Sequence, residues 1–300
     1  MTTSVKARRV GALGVLGSAA LFGTAGTARA VLLPTAPAPG VAAARLFVGG
    51  LGFVAFAGRT PDGRKALGRL WRRPVIWAMG FTVAAYQVFF FLSMARTGVA
   101  IGTLASLSFT PFMAGLLGWL LKEGAPGYVW AVSTALAVGG VGLLTIGAGD
   151  QRDVVGILFG VCAGASYGFY TVFGVRLARE GENPTNVLAA SFSIAGLLLV
   201  PVLVLSGTWW LTWSGVVLVL WLGLATTTLA YVLFGMGLAV LQPGHIATIT
   251  LAEPMFATLL GVFVLGETLT VTGWVGCVVI IIGLGILGLS ETRRPSESLA

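Results

Sequence analysis

Apolar residues in this chain are gathered into blocks of about 20, the length a helix needs to cross a hydrocarbon core of about 30 Å. Such blocks run near 10–31, 40–58, 75–95, 99–121, 126–147, 154–175, 186–206, 213–236, 244–265 and 269–289. The pattern predicts an all-α membrane protein of ten transmembrane helices. Little chain remains for a soluble catalytic or nucleic-acid-binding domain.

Superimposed on the blocks is a repeat with an offset of 144 residues, pairing Trp77 with Trp221, Ala95 with Ala239, Phe112 with Phe256, Glu123 with Glu267, Trp130 with Trp274 and Gly139 with Gly283. Each half carries five spans. An odd number of spans makes the second copy enter the bilayer from the opposite side, so the expected architecture is two inverted five-helix repeats, residues 1–150 and 151–290, with a disordered tail over 291–300. Inverted repeats are the architecture of alternating-access transporters.

Composition agrees with a membrane location: 57% of residues are hydrophobic and 9% charged. The net charge of +8 reads as a topology signal, not as a nucleic-acid footprint. With the N-terminus inside, 14 of the 18 Lys and Arg residues face the cytoplasm, including the cluster Arg59, Arg64, Lys65, Arg69, Arg72 and Arg73. Arg29, Arg96 and Arg152 lie outside and Arg45 falls within a span, so the positive-inside rule places both termini in the cytoplasm. The first 30 residues imitate a secretory signal, ending in Ala28-Arg29-Ala30. Phe22-Gly23, however, matches Tyr167-Gly168 at an offset of 145, and removing the segment would break the five-plus-five symmetry. It is expected to be retained as the first span.

Two features resemble catalytic chemistry. Gly164-Ala165-Ser166-Tyr167-Gly168 matches G-x-S-x-G, and the chain has one histidine, His245. Ser166 would lie about 18 Å below the outer face at the helical rise, with His245 at the cytoplasmic mouth of the ninth span. An intramembrane serine hydrolase is disfavoured by that depth mismatch. The ridge Gly156, Gly160, Gly164 and Gly168 suits close helix packing. Cys162 and Cys277 sit inside spans and indicate neither a disulfide nor a metal site. No cofactor is implied, and without a phosphate-binding loop any transport must run on gradients.

Polar groups within the bilayer are the candidate site. Glu253 lies about nine residues beyond Pro243-Gly244, near the midplane, where a carboxylate costs at least about 2.5 kcal/mol. Pro254 is expected to disfavour helical geometry at Glu253, freeing backbone groups. Arg45 either snorkels to the outer face, the reading favoured by its depth of about 8 Å, or reaches inward to a carboxylate. Tyr86 and Gln87 on the third span, Ser166, Tyr167 and Tyr170 on the sixth, and Tyr231 on the eighth, one turn after Thr226, Thr227 and Thr228, suit a small polar or zwitterionic solute. Each could equally be an interhelical hydrogen bond.

The stretch from Ala239-Val-Leu-Gln-Pro-Gly-His-Ile-Ala through Leu251-Ala-Glu-Pro-Met-Phe-Ala-Thr-Leu-Leu-Gly to Leu265-Gly266-Glu267 resembles the ten-span EamA-type branch of the drug/metabolite transporter superfamily. A weaker version runs from Ala95 through Thr110-Pro111 to Lys122-Glu123, one residue shorter between Pro111 and Glu123. The resemblance implies a central cavity between inverted repeats, and in many members export of amino acids or related metabolites across the bacterial inner membrane, some coupled to protons. Glu253-Pro254 matches the family's Glu-Pro, and Glu267 its acidic residue at the end of the ninth span, read here as a helix-end group. The expected substrate-binding residues are Tyr86, Gln87, Ser166, Tyr170, Tyr231 and Glu253, with Glu253, Pro254 and Arg45 as coupling or gating residues. The alternative solute is a lipophilic cation or drug.

Overall fold

The computed structural model describes residues 5–121, 127–147, 153–238, 249 and 252–292. Every regular element among them is helical: α1 (Val5–Leu32), α2 (Ala38–Ala57), α3 (Pro61–Leu70), α4 (Pro74–Thr97), α5 (Val99–Leu120), α6 (Tyr128–Gly147), α7 (Val154–Arg179), α8 (Pro184–Leu198) and α9 (Val200–Leu205). After a 3-10 turn at Trp209–Leu211 come α10 (Trp213–Leu220), a π-helical stretch (Trp221–Leu229), α11 (Ala230–Leu238), α12 (Ala252–Leu265) and α13 (Val271–Thr292). Among the described residues, six helices are long and apolar enough to cross a membrane: Arg9–Leu32, Ala38–Ala57, Pro74–Thr97, Val99–Leu120, Val154–Arg179 and Trp213–Met236. Shorter apolar helices cover Tyr128–Leu143, Pro184–Leu198, Ala252–Leu265 and Val271–Ile286. Large apolar side chains such as Phe81, Trp213, Phe263 and Val271 point outward, as a surface solvated by lipid tails requires.

Local chemistry fixes the helix starts. Thr60, Asn183 and Thr212 each accept a backbone N–H from Gly63, Thr185 and Gly215, and Pro61 and Pro184 follow the first two, where a missing N–H is harmless. Three details depart from the block pattern. The loop after 40–58 contains the short amphipathic helix α3, and the block 186–206 is split into α8 and α9 just before Pro201, which interrupts a helix. The block 213–236 carries the π stretch. Only part of the block 244–265 is described, and Pro243, Gly244 and His245 lie outside the described residues.

Helices α4 and α5 are joined by one residue, Gly98, whose φ of 86° suits glycine. The amides of Val99 and Ala100 in the first turn of α5 are taken by the two oxygens of Glu267, which lies between α12 and α13. Glu267 is therefore the helix-end group expected from the sequence, and it caps a helix 167 residues before it in the chain. At the other end, Arg69 pairs with Glu182 at 2.6 Å, and Arg73 pairs with Glu180 at 2.6 Å and with Glu182 at 3.2 Å. These bonds tie the α3–α4 corner to the α7–α8 loop.

The tightest packing follows small residues. Helix α7 lies against α4 and α5, α1 against α11 and α12, α2 against α8, and α6 against α13. The glycine ridge of α7 makes its contact: Gly160 faces Ser93 and Ala105, Gly164 the Ser106 carbonyl and Phe109, and Gly168 Met113 and Ala114. On α1, Gly23 faces Phe256 and Ala257 in the same manner. Replacing Gly164 with Leu would drive a side chain into the α5 backbone, and we expect a loss of about 1–3 kcal/mol, seen as a drop of several degrees in melting temperature in detergent.

Asp153 caps α7. It accepts from the Gly156 amide at 2.8 Å and from Arg96 Nε at 2.8 Å, and these contacts, the backbone bond first, hold its carboxyl below the ordinary aspartate range. A group with a lowered folded pKa stabilises above its unfolded value, about 3.9, and loses that contribution as pH falls through the folded value. Asp153→Asn should therefore lower the melting temperature at pH 7 slightly, with the gap to wild type closing below about pH 4.

Candidate functional site

Arg45 sits in the middle of an otherwise apolar helix and is 5% exposed. It turns inward and does not snorkel, which corrects the favoured sequence reading. Its Nε donates to Thr227 Oγ1 at 2.9 Å, Nη2 to the Thr226 carbonyl at 3.1 Å and Nη1 to Gln87 Oε1 at 3.4 Å. The Phe91 ring lies 5.9 Å from its guanidinium carbon. These partners explain why depth alone misled: a fixed set of acceptors inside the bundle outcompetes a route to the surface. Gly49 makes the approach possible, since a Cβ there would meet Thr227 Cγ2 at 2.7 Å.

The π stretch supplies the acceptors. Its wider turn lets the Thr227 hydroxyl donate to Leu222 five residues back, at 2.8 Å, while accepting from Arg45. Thr228 likewise donates to Gly223 and reaches the Gly49 carbonyl of α2. Wide turns of this kind concentrate at functional sites.

Beside Arg45 lies a cavity of about 120 Å³ lined by Phe22, Arg45, Tyr86, Gln87, Phe90, Leu107, Tyr167, Tyr231 and Glu253. Glu253 and Arg45 both line it, yet no nitrogen of Arg45 comes within 4.0 Å of a Glu253 oxygen. Beyond that distance the attraction is at most about 4 kcal/mol at an effective dielectric of about 20. This is comparable to the cost of burying either charge, so the pair can be held apart without a direct contact. The rest of the wall is aromatic. Tyr86 stacks between Phe90 and Tyr167, at 5.5 and 4.9 Å, and Tyr231 presents edges to Phe22 and Phe53 at 5.0 and 5.7 Å.

Of the expected substrate-binding residues, the structure brings Tyr86, Gln87, Tyr231 and Glu253 together at one cavity, with Arg45 beside them. Tyr170 lies one turn away, buried against Tyr167 and Phe192. Ser166 is not in the lining; its hydroxyl donates to the Cys162 carbonyl of its own helix at 2.8 Å. Its distance from His245 falls outside the described residues. Pro254 is buried and, with Glu253, lies within the described part of α12. Glu253 is thus helical, contrary to the expectation that Pro254 would displace it: a following proline disfavours helical geometry at the residue before it but does not forbid it. Tyr167, one of the polar groups noted on the sixth span, is in the lining, and so is Phe22, which the sequence reading did not single out as a site residue.

This geometry can be set beside known proteins. The EamA-like transporter family model matches residues 154–289. An uncharacterized transporter of Bacillus subtilis (strain 168), YwfM, is 32% identical over 288 residues, covering 95% of this chain and 96% of its own. A solved crystal structure at 20% identity superposes with a TM-score of 0.64 over 97% of this chain and all of that one, a likeness of fold. The family model and the Bacillus subtilis relative mark a helical membrane transporter, with which the apolar helices agree. The chain belongs to the EamA-like transporter family.

Arg45 should be replaceable only by a group that reaches the same acceptors. Arg45→Lys keeps the charge but cannot span the Thr226 carbonyl and the Thr227 hydroxyl with a planar fork. We expect it to lower the melting temperature by several degrees, and Thr227→Val by less, in a thermal-shift assay of purified protein.

Proposed function

We propose that the protein moves a small zwitterionic solute, of the amino-acid class, out of the cell by alternating access between two inverted five-helix repeats. The carrying observation is that Arg45 and Glu253, of opposite charge and without a direct contact, line one cavity. The solute's carboxylate would meet the guanidinium and its ammonium the Glu253 carboxylate, with Tyr86, Gln87, Tyr167 and Tyr231 supplying donors and faces. Glu253 in this reading also carries a coupling proton when the solute leaves, and Pro254 helps set its position.

Size separates this from export of a lipophilic cation or drug. The cavity, about 120 Å³, is below the roughly 300–1,000 Å³ of drug-sized sites, and Arg45 repels a cation. An intramembrane hydrolase has less support, since the Ser166 hydroxyl is engaged by its own helix. The repeats are supported by matching contacts. Gly168 meets Ala114 and Gly23 meets Ala257, each contact being the other shifted by about 144 residues. In this reading the end bearing Arg69 and Arg73 faces the cytoplasm of a bacterial inner membrane, and residues 1–150 and 151–290 are the two units.

Counterflow in proteoliposomes tests the proposal without assuming a coupling ion. Labelled small amino acids should exchange saturably, and Glu253→Gln or Arg45→Gln should reduce exchange at least tenfold. Exchange of a lipophilic dye cation with none of amino acids would overturn the substrate class. A pH dependence of net transport unchanged in Glu253→Gln would remove the coupling role.

A further inference from the structure

A second cavity of about 250 Å³ lies towards the Gly98 end of the bundle, its wall including Arg29, Phe91, Ala95, Val99, Leu265 and Glu267. Arg29 and Glu267 bring opposite charges to it, and among the described residues neither has an ion-pair partner within 4.0 Å. Arg29 commits only Nη2, to the Ala36 carbonyl at 2.8 Å and the Pro34 carbonyl at 3.4 Å; its Nε is buried without a partner. Glu267 accepts the Val99 and Ala100 amides, which leaves each oxygen a further lone pair. Between these charges the wall is apolar.

This cavity is stacked on the central one. On α1, Phe22 lines the central cavity and Gly26, one turn on, the second. On α4, Gln87 and Phe90 line the first, while Phe91 and Met94 line the second. Phe91 is fully buried, packs edge-on to Phe90 with ring centroids 5.8 Å apart and lies over Arg45. One aromatic layer divides the two spaces.

We infer that the second cavity is a separate binding site for a zwitterionic amino acid with an apolar side chain, its carboxylate on Arg29 and its ammonium on Glu267, reached from the central site past Phe91. The inference rests on the amino-acid reading of the central cavity and extends it. Two partly buried charges without counterions are each costly. One zwitterion satisfies both, and the apolar wall receives its side chain. The solute thereby occupies two stations along one path, and Phe91 is the partition that must swing aside between them.

The test uses L-leucine and a cysteine reporter. In a background with Cys162 and Cys277 replaced by alanine, Ala95→Cys places a thiol on the wall of the second cavity, to be labelled by a methanethiosulfonate reagent with and without millimolar L-leucine. Leucine should slow labelling at least fivefold. The protection should persist in Glu253→Gln, which disables the central site, disappear in Arg29→Gln, and survive in Arg29→Lys, which keeps the charge. Each variant is first shown to elute as a single species on size exclusion. Protection lost in Glu253→Gln but kept in Arg29→Gln would overturn the second site, as would no protection where wild type still exchanges leucine by counterflow. Leucine that neither exchanges nor protects would overturn both readings.

Discussion

A guanidinium in the interior of an apolar bundle is the constraint around which the rest is arranged. Arg45 is buried on α2 and cannot be left without acceptors. The solution engages three groups from two other parts of the chain: a side-chain amide from α4, and a hydroxyl and a carbonyl from the π stretch. For those groups to arrive, α2 must approach the π stretch closely, which Gly49 allows, and Gln87 must face inward. Once Arg45 is fixed, a carboxylate on α12 becomes affordable at the same depth. The polar centre of the molecule is therefore a consequence of one ion's hydrogen-bond demand as much as of a requirement for a solute.

The helices were legible because bilayer thickness imposes a length, and a run of apolar residues reports length directly. Where the helices break was less legible. The split before Pro201 follows from a residue type visible in the sequence, but the π stretch accompanies contacts of Thr226 and Thr227 with an arginine more than 180 positions away, which the sequence does not display. The same limit governed the site. Tyr86, Gln87, Tyr231 and Glu253 stood out as polar groups in apolar runs. Neighbours on a helix differ by about 100° in direction, so Ser166 and Tyr167 could not be ranked by composition. Arg45 was misread in direction because depth is a property of sequence, whereas acceptor geometry belongs to the fold.

The contacts that hold the bundle also cross between the chain's halves. Helix α7 fits against α4 and α5, α1 fits against α11 and α12, and Glu267 closes the start of α5. Neither half is a self-contained packing unit; each completes the other's helix ends and grooves. In a protein proposed to work by rocking one half against the other, such shared surfaces must slide or exchange partners, and glycine-lined faces, with few side chains to disengage, lower the barrier to doing so.

The π stretch has one more consequence. A wide turn accommodates an additional residue within a helix, and each residue of an α-helix turns the chain by about 100°. Everything beyond Leu229 is therefore rotated relative to an uninterrupted helix begun at Trp213. Tyr231 owes its aim into the cavity to that rotation: the same sequence wound as plain α-helix would carry its ring around the cylinder to another neighbour. Helix winding, rather than side-chain choice alone, sets which surface α11 offers to the cavity.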